Sequence, residues 1–495
     1  MTATTDTATT TAAPGTHSSG DGQALIRRAL AAARETRRLE VGPDLLGTIP
    51  AVFADQFGRE RPAALVTDRH TLAAAGEAVL AAFAAAGHPT VEPFVFDDPA
   101  LYAEHKYVEQ LQAWLATHDA VPVAVGSGTI NDVTKLAAHR TGRQYLSVAT
   151  AASMDGYTAF GASITFKGSK QTFDCPAPQA VVADLDVIAA APPILNAAGY
   201  ADLLAKVTAG ADWIVADALG IEPIDPTAWD LVQVPLMASL ADPAGVRRGD
   251  IKAVGDLTRG LMMGGFAMQW TKSSRPASGA EHQFSHLWDM QHHTHGGAAP
   301  SHGFKVAVGT VAVARLYEQL LGLPLDELDI DGTVATAPTA ADTEADIVRR
   351  LGDGELADKA RLEMTAKSIT PAALRDRLRR LREVWPTLRE RLRAHLPPAA
   401  KLAEMLAAAG APSEPEQVGI SRDRLRDSYH QAYLIRRRFT VLDLAVEAGV
   451  LDASLGRLFP PLRRSFHPRA RRGTASLPPG EGWGEGERRC DPVPP

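Results

Sequence analysis

The sequence predicts an α/β N-terminal domain built on a parallel sheet, followed by an all-α C-terminal domain, with disordered tails at both ends. Three observations predict this. Short apolar runs alternate with helical segments up to Pro192-Pro193, as parallel βαβ units require. Beyond that point strand-like runs almost vanish and Ala/Leu-rich helical segments take over. The first 20 residues and those after 462 have no hydrophobic period and too little apolar surface to offset the entropy of ordering. The division expected is residues 1–20 disordered, 21–192 α/β, 193–462 helical, and 463–495 a basic and then Pro/Gly-rich tail.

In order along the chain, Ala64 to Thr67 is a short apolar run suited to a buried strand, and Leu72 to Ala86 is helical. Val91 to Phe96 is strand-like and Tyr102 to His118 helical. Val121 to Val125 is a third buried strand, followed by a glycine turn and a helix through Arg140. Tyr145 to Ala149 and Ala180 to Ala183 complete the series, and Gly161 to Phe173 reads as a hairpin turning near Lys167-Gly168. The helical half is expected at Ala197–Leu219, Asp250–Thr271, Gly303–Leu320 and Pro371–Leu392, the last kinked or broken at Pro386.

Bulk properties narrow the function. The 495 residues are 45% hydrophobic and 22% charged, an ordinary composition for a soluble globular protein. A net charge of -7 argues against general nucleic-acid binding, though not against a local basic pocket. Only Cys175 and Cys490 occur, which excludes a disulfide framework and a cysteine-built zinc site. Any metal must be held by His, Asp or Glu. The N-terminus lacks the basic and apolar regions of a signal peptide, and stable membrane insertion is not expected, so the cytoplasm is the default compartment.

Three constellations carry chemistry. In Val125-Gly126-Ser127-Gly128-Thr129-Ile130-Asn131-Asp132, glycines between a buried strand and a helix start let backbone approach a ligand, and the helix amides suit a pyrophosphate. Asn131 stands where a full G-x-G-x-x-G would have its third glycine, and a plain tight turn is the competing reading. Asp68, just after the first strand, is placed to hold a ribose or to cap a turn. Thr150-Ala151-Ala152-Ser153-Met154-Asp155-Gly156-Tyr157-Thr158 offers small and hydroxylated residues under a cofactor. There Asp155 either binds substrate or metal, or forms a simple Asx-turn. The third constellation is scattered. Asp202 lies in an apolar helix and needs a partner, His282 and His286 share one helix face four residues apart, and His302 opens the next helix. Two histidines and a carboxylate form a usable Lewis-acid site. His292, His293 and His295 lie in a Gly-containing loop and are expected to be solvated.

Together, GSGTIND, TAASMDGYT, GYADLLAK, SRPASGAEHQFSH and SHG resemble the sn-glycerol-1-phosphate dehydrogenase family, within the wider glycerol dehydrogenase, iron-containing alcohol dehydrogenase and dehydroquinate synthase superfamily. The similarity runs from about Thr48 to Leu451, and the segment Arg436-Arg437-Arg438-Phe439-Thr440-Val441-Leu442-Asp443 is similar to the bacterial AraM type. The resemblance implies a Rossmann-like N-terminal domain and a metal held by Asp202, His282 and His302, zinc in archaeal members and nickel in the AraM type. It further implies that Asp155, Asp202 and His286 touch substrate. NAD(H) or NADP(H) would lie on Asp68, on Gly126 and Gly128 to Asp132, and on Thr150 to Ser153. Ala159 stands where a cofactor-contacting serine is expected.

The implied reaction interconverts dihydroxyacetone phosphate and sn-glycerol 1-phosphate, a step of phospholipid biosynthesis. Hydride would pass to a metal-polarised carbonyl, with His286 or a metal-bound water supplying the proton. Lys206, Lys272 and Arg275 are candidates for the substrate phosphate. The resemblance also implies a homodimer. Rival readings are a glycerol dehydrogenase using unphosphorylated polyol, a dehydroquinate synthase-like lyase using NAD and metal without net redox, and a catalytically dead binding protein. The site is expected in a cleft with cofactor on one wall and metal on the other.

Overall fold

Six strands are parallel and form one sheet in the computed structural model, which describes residues 19–166 and 169–460. They are β1 (Arg38–Gly42), β2 (Ala63–Asp68), β3 (Phe94–Phe96), β4 (Val121–Gly126), β5 (Leu146–Ala149) and β8 (Ala180–Asp184). The sheet order is β1-β8-β5-β4-β2-β3. A separate antiparallel hairpin, β6 (Ala162–Phe166) with β7 (Ser169–Phe173), pairs Phe166 with Ser169. The turn expected at Lys167-Gly168 lies outside the described residues, as do residues 1–18 and the tail from 461 onward.

The order contains a switch point. From β2 the chain moves outward to β3 and then returns to β4 on the other side of β2. The two crossovers cover opposite faces of the sheet. Val79 and Phe83 of the helix after β2 pack with Leu65, Val123 and Val148. Ile130 and Val133 of the helix after β4 pack with Val66 and Ala124. Amides and carboxylates at the C-terminal ends of β2 and β4 therefore face a crevice, the usual ligand position in an open parallel sheet.

The helices that matter for the site are α1 (Gly128–Arg140), α2 (Pro193–Leu204), α3 (Lys206–Ala218), α4 (Ile251–Thr271), α5 (Ala280–Met290), α6 (His302–Leu321), α7 (Pro371–His395) and α8 (Arg422–Leu434). One apolar core joins Val41, Ala149 and Ala183 at the strand ends to Tyr200, Leu203, Leu261 and Phe266 of α2 and α4. A second lies wholly among helices and includes Phe284, Trp288, Leu316, Trp385 and Tyr429. Among the described residues no helix is long and apolar enough to cross a membrane.

Several elements differ from expectation. A helix Ser19–Ala32 begins inside the segment expected to be disordered. β1 was not expected: it is a five-residue edge strand whose alternating residues Arg38, Glu40 and Gly42 are only half-buried, so it lacks a continuous apolar run. Strand β3 starts only after Pro93, which cannot donate to a ladder. The single helix expected over Ala197–Leu219 is two, α2 and α3, meeting at Ala205. Helix α7 runs unbroken through Pro386, its apolar stripe Leu381, Trp385, Leu388 and Leu392 anchored in the core.

Two glycines set how closely the site helices approach. A Cβ on Gly199 of α2 would lie 1.8 Å from the carbonyl oxygen of Ala152, and one on Gly303 of α6 would lie 2.0 Å from that of Ala198. Helix α2 is thus pressed between the loop after β5 and the start of α6. Gly303→Ala should cost about 1–3 kcal/mol, because backbone rather than a flexible side chain must yield. Gly456→Ala, with nothing within 4 Å of the added methyl, should be close to neutral. Thermal unfolding midpoints of the two variants check this.

Candidate active site

Helix α2 carries Asp202 to the middle of the packed helices, where burial of a carboxylate demands partners. Lys206, one turn on and fully buried, supplies one: its Nζ lies 2.7 Å from Asp202 Oδ1 and 2.7 Å from Asp155 Oδ2. The backbone N–H of Asp155 donates to Asp202 Oδ2 at 3.1 Å. The loop after β5 and helix α2 are therefore fastened through one ammonium and two carboxylates. Burial opposes the Lys206 charge, but Asp155 and Asp202 hold its pKa well above the usual lysine value. Burial likewise opposes the charge on Asp202, but Lys206 and His282 hold its carboxyl far below the usual range. Asp155 is pushed up by burial and by Asp202.

Helix α5 brings His282 to the same point, its Nε2 3.6 Å from Asp202 Oδ1. Its other ring nitrogen, Nδ1, is 2.8 Å from Glu281 Oε1. Glu281 is itself fully buried and satisfied, accepting from Gly279 N at 2.6 Å and from Thr208 Oγ1 at 2.8 Å. A carboxylate on Nδ1 fixes the imidazole tautomer and leaves Nε2 as the donor atom facing Asp202. His302, the first residue of α6, has its ring centre 5.2 Å from that of His282 and its Nδ1 3.3 Å from Ser285 Oγ.

Donor atoms of Asp202, His282 and His302 lie within 4.8 Å of one another. Two imidazoles and one carboxylate form the donor set that a catalytic divalent ion accepts with a position left open, and the Glu281–His282 contact is the outer support such sites use. Burial, with Lys170 and His282 nearby, pushes His302 well below the usual imidazole pKa, leaving a neutral ring able to ligate. These residues fit a metal.

His286, one turn beyond His282, has its ring centre 6.3 Å from that of His282 and 6.2 Å from that of His302. It is half-buried, and burial together with Arg436 pushes its pKa well below the usual value.

The cofactor candidates occupy the switch point. Gly126 ends β4, and Ser127 at the start of α1 makes no side-chain cap, so the leading amides of α1 are left for a ligand. Gly128 and Thr129 are partly exposed there, whereas Ile130 and Asn131 are buried. The Asn131 amide oxygen accepts from Tyr145 Oη and Ser147 Oγ, both at 3.1 Å, so the residue in the third-glycine position ties α1 to the sheet. Asp132 accepts from Ser163 N at 3.2 Å. Asp68 ends β2 beside β4, and one of its carboxylate oxygens caps the next turn by accepting from Thr71 N at 2.8 Å.

In the second constellation Thr150 N donates to Gly126 O at 3.2 Å. Ala151 O accepts from Tyr157 Oη at 2.7 Å, and Ala152 N donates to Asn196 Oδ1 at 3.0 Å. Ser153 is half-buried and Ala159 buried.

Other residues did not stand out in the sequence. Lys135, buried on α1, donates to the carbonyls of Gly156, Ala159 and Gly161 at 2.8, 2.9 and 3.0 Å, holding the loop that contains Asp155. Its signal was a lysine inside the apolar run Val133-Thr134-Lys135-Leu136. Glu281 was legible only as the neighbour of His282. Of the loop histidines, His293 is not simply solvated: its Nε2 is 2.7 Å from Val418 O and its Nδ1 2.8 Å from Arg424.

Residues 40–192 match the iron-containing alcohol dehydrogenase family. A glycerol-1-phosphate dehydrogenase (NAD(P)+) of Halalkalibacterium halodurans is 35% identical over 256 residues, 51% of this chain and 64% of that protein. The chain therefore spans just under two thirds of that relative. The protein of the same name from Bacillus subtilis is 30% identical over 334 residues, 67% of this chain and 71% of its own length. The chain belongs to the glycerol-1-phosphate dehydrogenase family. A solved structure described as a probable glycerol dehydrogenase from Sinorhizobium meliloti shares the fold, with a TM-score of 0.55 at 14% identity, over 86% of this chain and 98% of that one.

Within this family member, Glu281 is isolated from solvent and orients one imidazole. Glu281→Gln should lower divalent-ion affinity by roughly 10- to 100-fold with the fold retained. Equilibrium dialysis against zinc and nickel, with circular dichroism as the control, measures it.

Proposed function

We propose that this protein interconverts dihydroxyacetone phosphate and sn-glycerol 1-phosphate with NAD(H) or NADP(H). The observation that carries the reading is the meeting of Asp202, His282 and His302 beside the Lys206–Asp155 pair. The curated relatives bearing the name glycerol-1-phosphate dehydrogenase support the substrate class.

A divalent ion, nickel or zinc, held by Asp202, His282 and His302 would supply Lewis-acid polarisation of the C2 carbonyl. The chain's own residues do the rest. The α1 amides and Asp68 hold the cofactor, with Thr150 to Ser153 beneath it. Asp155 Oδ2 accepts from a substrate hydroxyl. The Lys206 ammonium, kept charged, sits where negative charge on the substrate oxygen is stabilised most in the transition state. His286 is held neutral, so a ring nitrogen is free to accept the hydroxyl proton in the oxidising direction. Burial of Asp202 and His282 keeps bulk water from these charges. We place the enzyme in the cytoplasm, as a homodimer in phospholipid biosynthesis.

Metal-loaded protein should oxidise NADH or NADPH with dihydroxyacetone phosphate, and do so far better than with unphosphorylated dihydroxyacetone. Chelation should abolish the rate, and His302→Ala should lower it on the order of a thousandfold. A preference for the unphosphorylated ketone would make the protein a glycerol dehydrogenase. Phosphate release at constant NADH would make it a lyase.

A further inference from the structure

Three arginine side chains converge where α5 begins, and none is among the proposed metal ligands or cofactor-binding residues. Arg436 and Arg438 follow α8, and both point Nη2 at the same atom, Ser274 Oγ, each at 3.0 Å. Arg436 Nη1 also lies 3.4 Å from Ser278 Oγ, and Arg438 Nη1 lies 2.7 Å from Ser278 O. Arg275 stands alongside, donating to Phe439 O and Asp212 O at 2.9 Å each.

Arg436 and Arg438 have acids nearby but, among the described residues, none in ion-pair contact. Arg275 has Glu222 at 3.2 Å. Among the described residues no carboxylate comes within 4.0 Å of Arg436 or Arg438, although Arg437 between them is paired with Glu363 at 2.8 Å. Burial, followed by Arg436 and Arg275, drives the Arg438 pKa well below the usual value. Two guanidiniums sharing one hydroxyl repel each other in a poorly solvated setting. A clamp for the start of α5 needs only one of them. An anion between them would relieve the repulsion, and paired guanidiniums are the preferred receptor for a phosphate.

The position selects the anion. Ser278 lies four residues before His282 on the approach to α5, and Gln283 Nε2 is 3.5 Å from Arg438 O. The arginines thus flank the metal-ligand helix, while the glycine turn expected to hold the cofactor lies at the end of β4. Arg436 and Arg438 are both partly exposed. The earlier candidates are otherwise engaged. Lys206 is bound by two carboxylates, Arg275 holds backbone carbonyls, and Lys272 Nζ lies 5.7 Å from the Phe160 ring centre. We propose that Arg436 and Arg438, with Ser274 and Ser278, bind the phosphate of the substrate and so set the preference for a phosphorylated ketone. This rests on the proposed reaction for its substrate and on the arginine geometry for its site.

The test uses full-length, metal-loaded protein. Arg436→Gln and Arg438→Gln should each raise the KM for dihydroxyacetone phosphate roughly 10- to 100-fold. The KM for NADH should not change, and binding of inorganic phosphate, measured by titration calorimetry, should be lost. Arg436→Lys and Arg438→Lys should recover part of both, and they decide the question if a glutamine variant fails to fold. Folded variants with unchanged KM and phosphate binding overturn the proposal. So does a rise confined to the KM for NADH, or a wild-type protein that binds no phosphate. If Lys170→Gln raises the substrate KM and the arginine variants do not, the site has been misplaced. Failure of the wild type to reduce dihydroxyacetone phosphate refutes the reaction instead, and the phosphate titration still decides the arginines.

Discussion

The arrangement turns on one buried ammonium. Lys206 lies between Asp155 and Asp202 at 2.7 Å from each, and without it two carboxylates would face each other away from water. A carboxylate pair of that kind retains a proton on one member. With Lys206 in place Asp202 stays ionised and presents its oxygens toward His282. The same ammonium links the loop after β5 to helix α2, so the proposed cofactor side and the helical side of the site are set by a single charge.

Close backbone packing makes this geometry possible. At Gly199 and Gly303 no side chain separates α2 from the loop after β5 or from α6, and His302, the first residue of α6, immediately precedes Gly303. The buried network around Asp212 acts at the start of α5. Its carboxylate accepts from Ala280 N at 2.7 Å, Val441 N at 2.8 Å and Tyr317 Oη at 2.6 Å. Burial and the nearby Glu281 push its pKa up to about 7. Helix α5 is thus pinned at its start by Asp212 and Glu281, and its histidines inherit that fixed position.

Charge is distributed unevenly around the histidines. On one side burial opposes the charge of His282, but Asp202 and Glu281 raise its pKa. On the other, burial first, then Arg436 at His286 and Lys170 at His302, keeps both rings neutral. A site proposed to receive an anionic substrate and hold a cation needs both kinds of neighbour, and they come from separate elements: α2 and α5 for the acids, and β7 and the segment after α8 for the bases.

Much of the sheet was legible because buried parallel strands are written as continuous apolar runs, as in Val121 to Val125 and Ala180 to Ala183. Edge strand β1 was not, since half of its residues face outward. Asp202, His282 and His302 were legible as residue types set in unfavourable surroundings and through a resemblance. Their convergence was implied only by the resemblance, because 80 residues separate the first two in sequence and no local pattern records such a distance. Lys135 and Lys206 could be seen as lysines within apolar helices, but their partners could not. The arginines after α8 stood out only as part of a segment similar to the AraM type. The sequence determined which side chains must be buried and which charges would then need partners; the tertiary structure alone decided which partners they met, because long-range packing of α2, α5 and α6 selects the contacts.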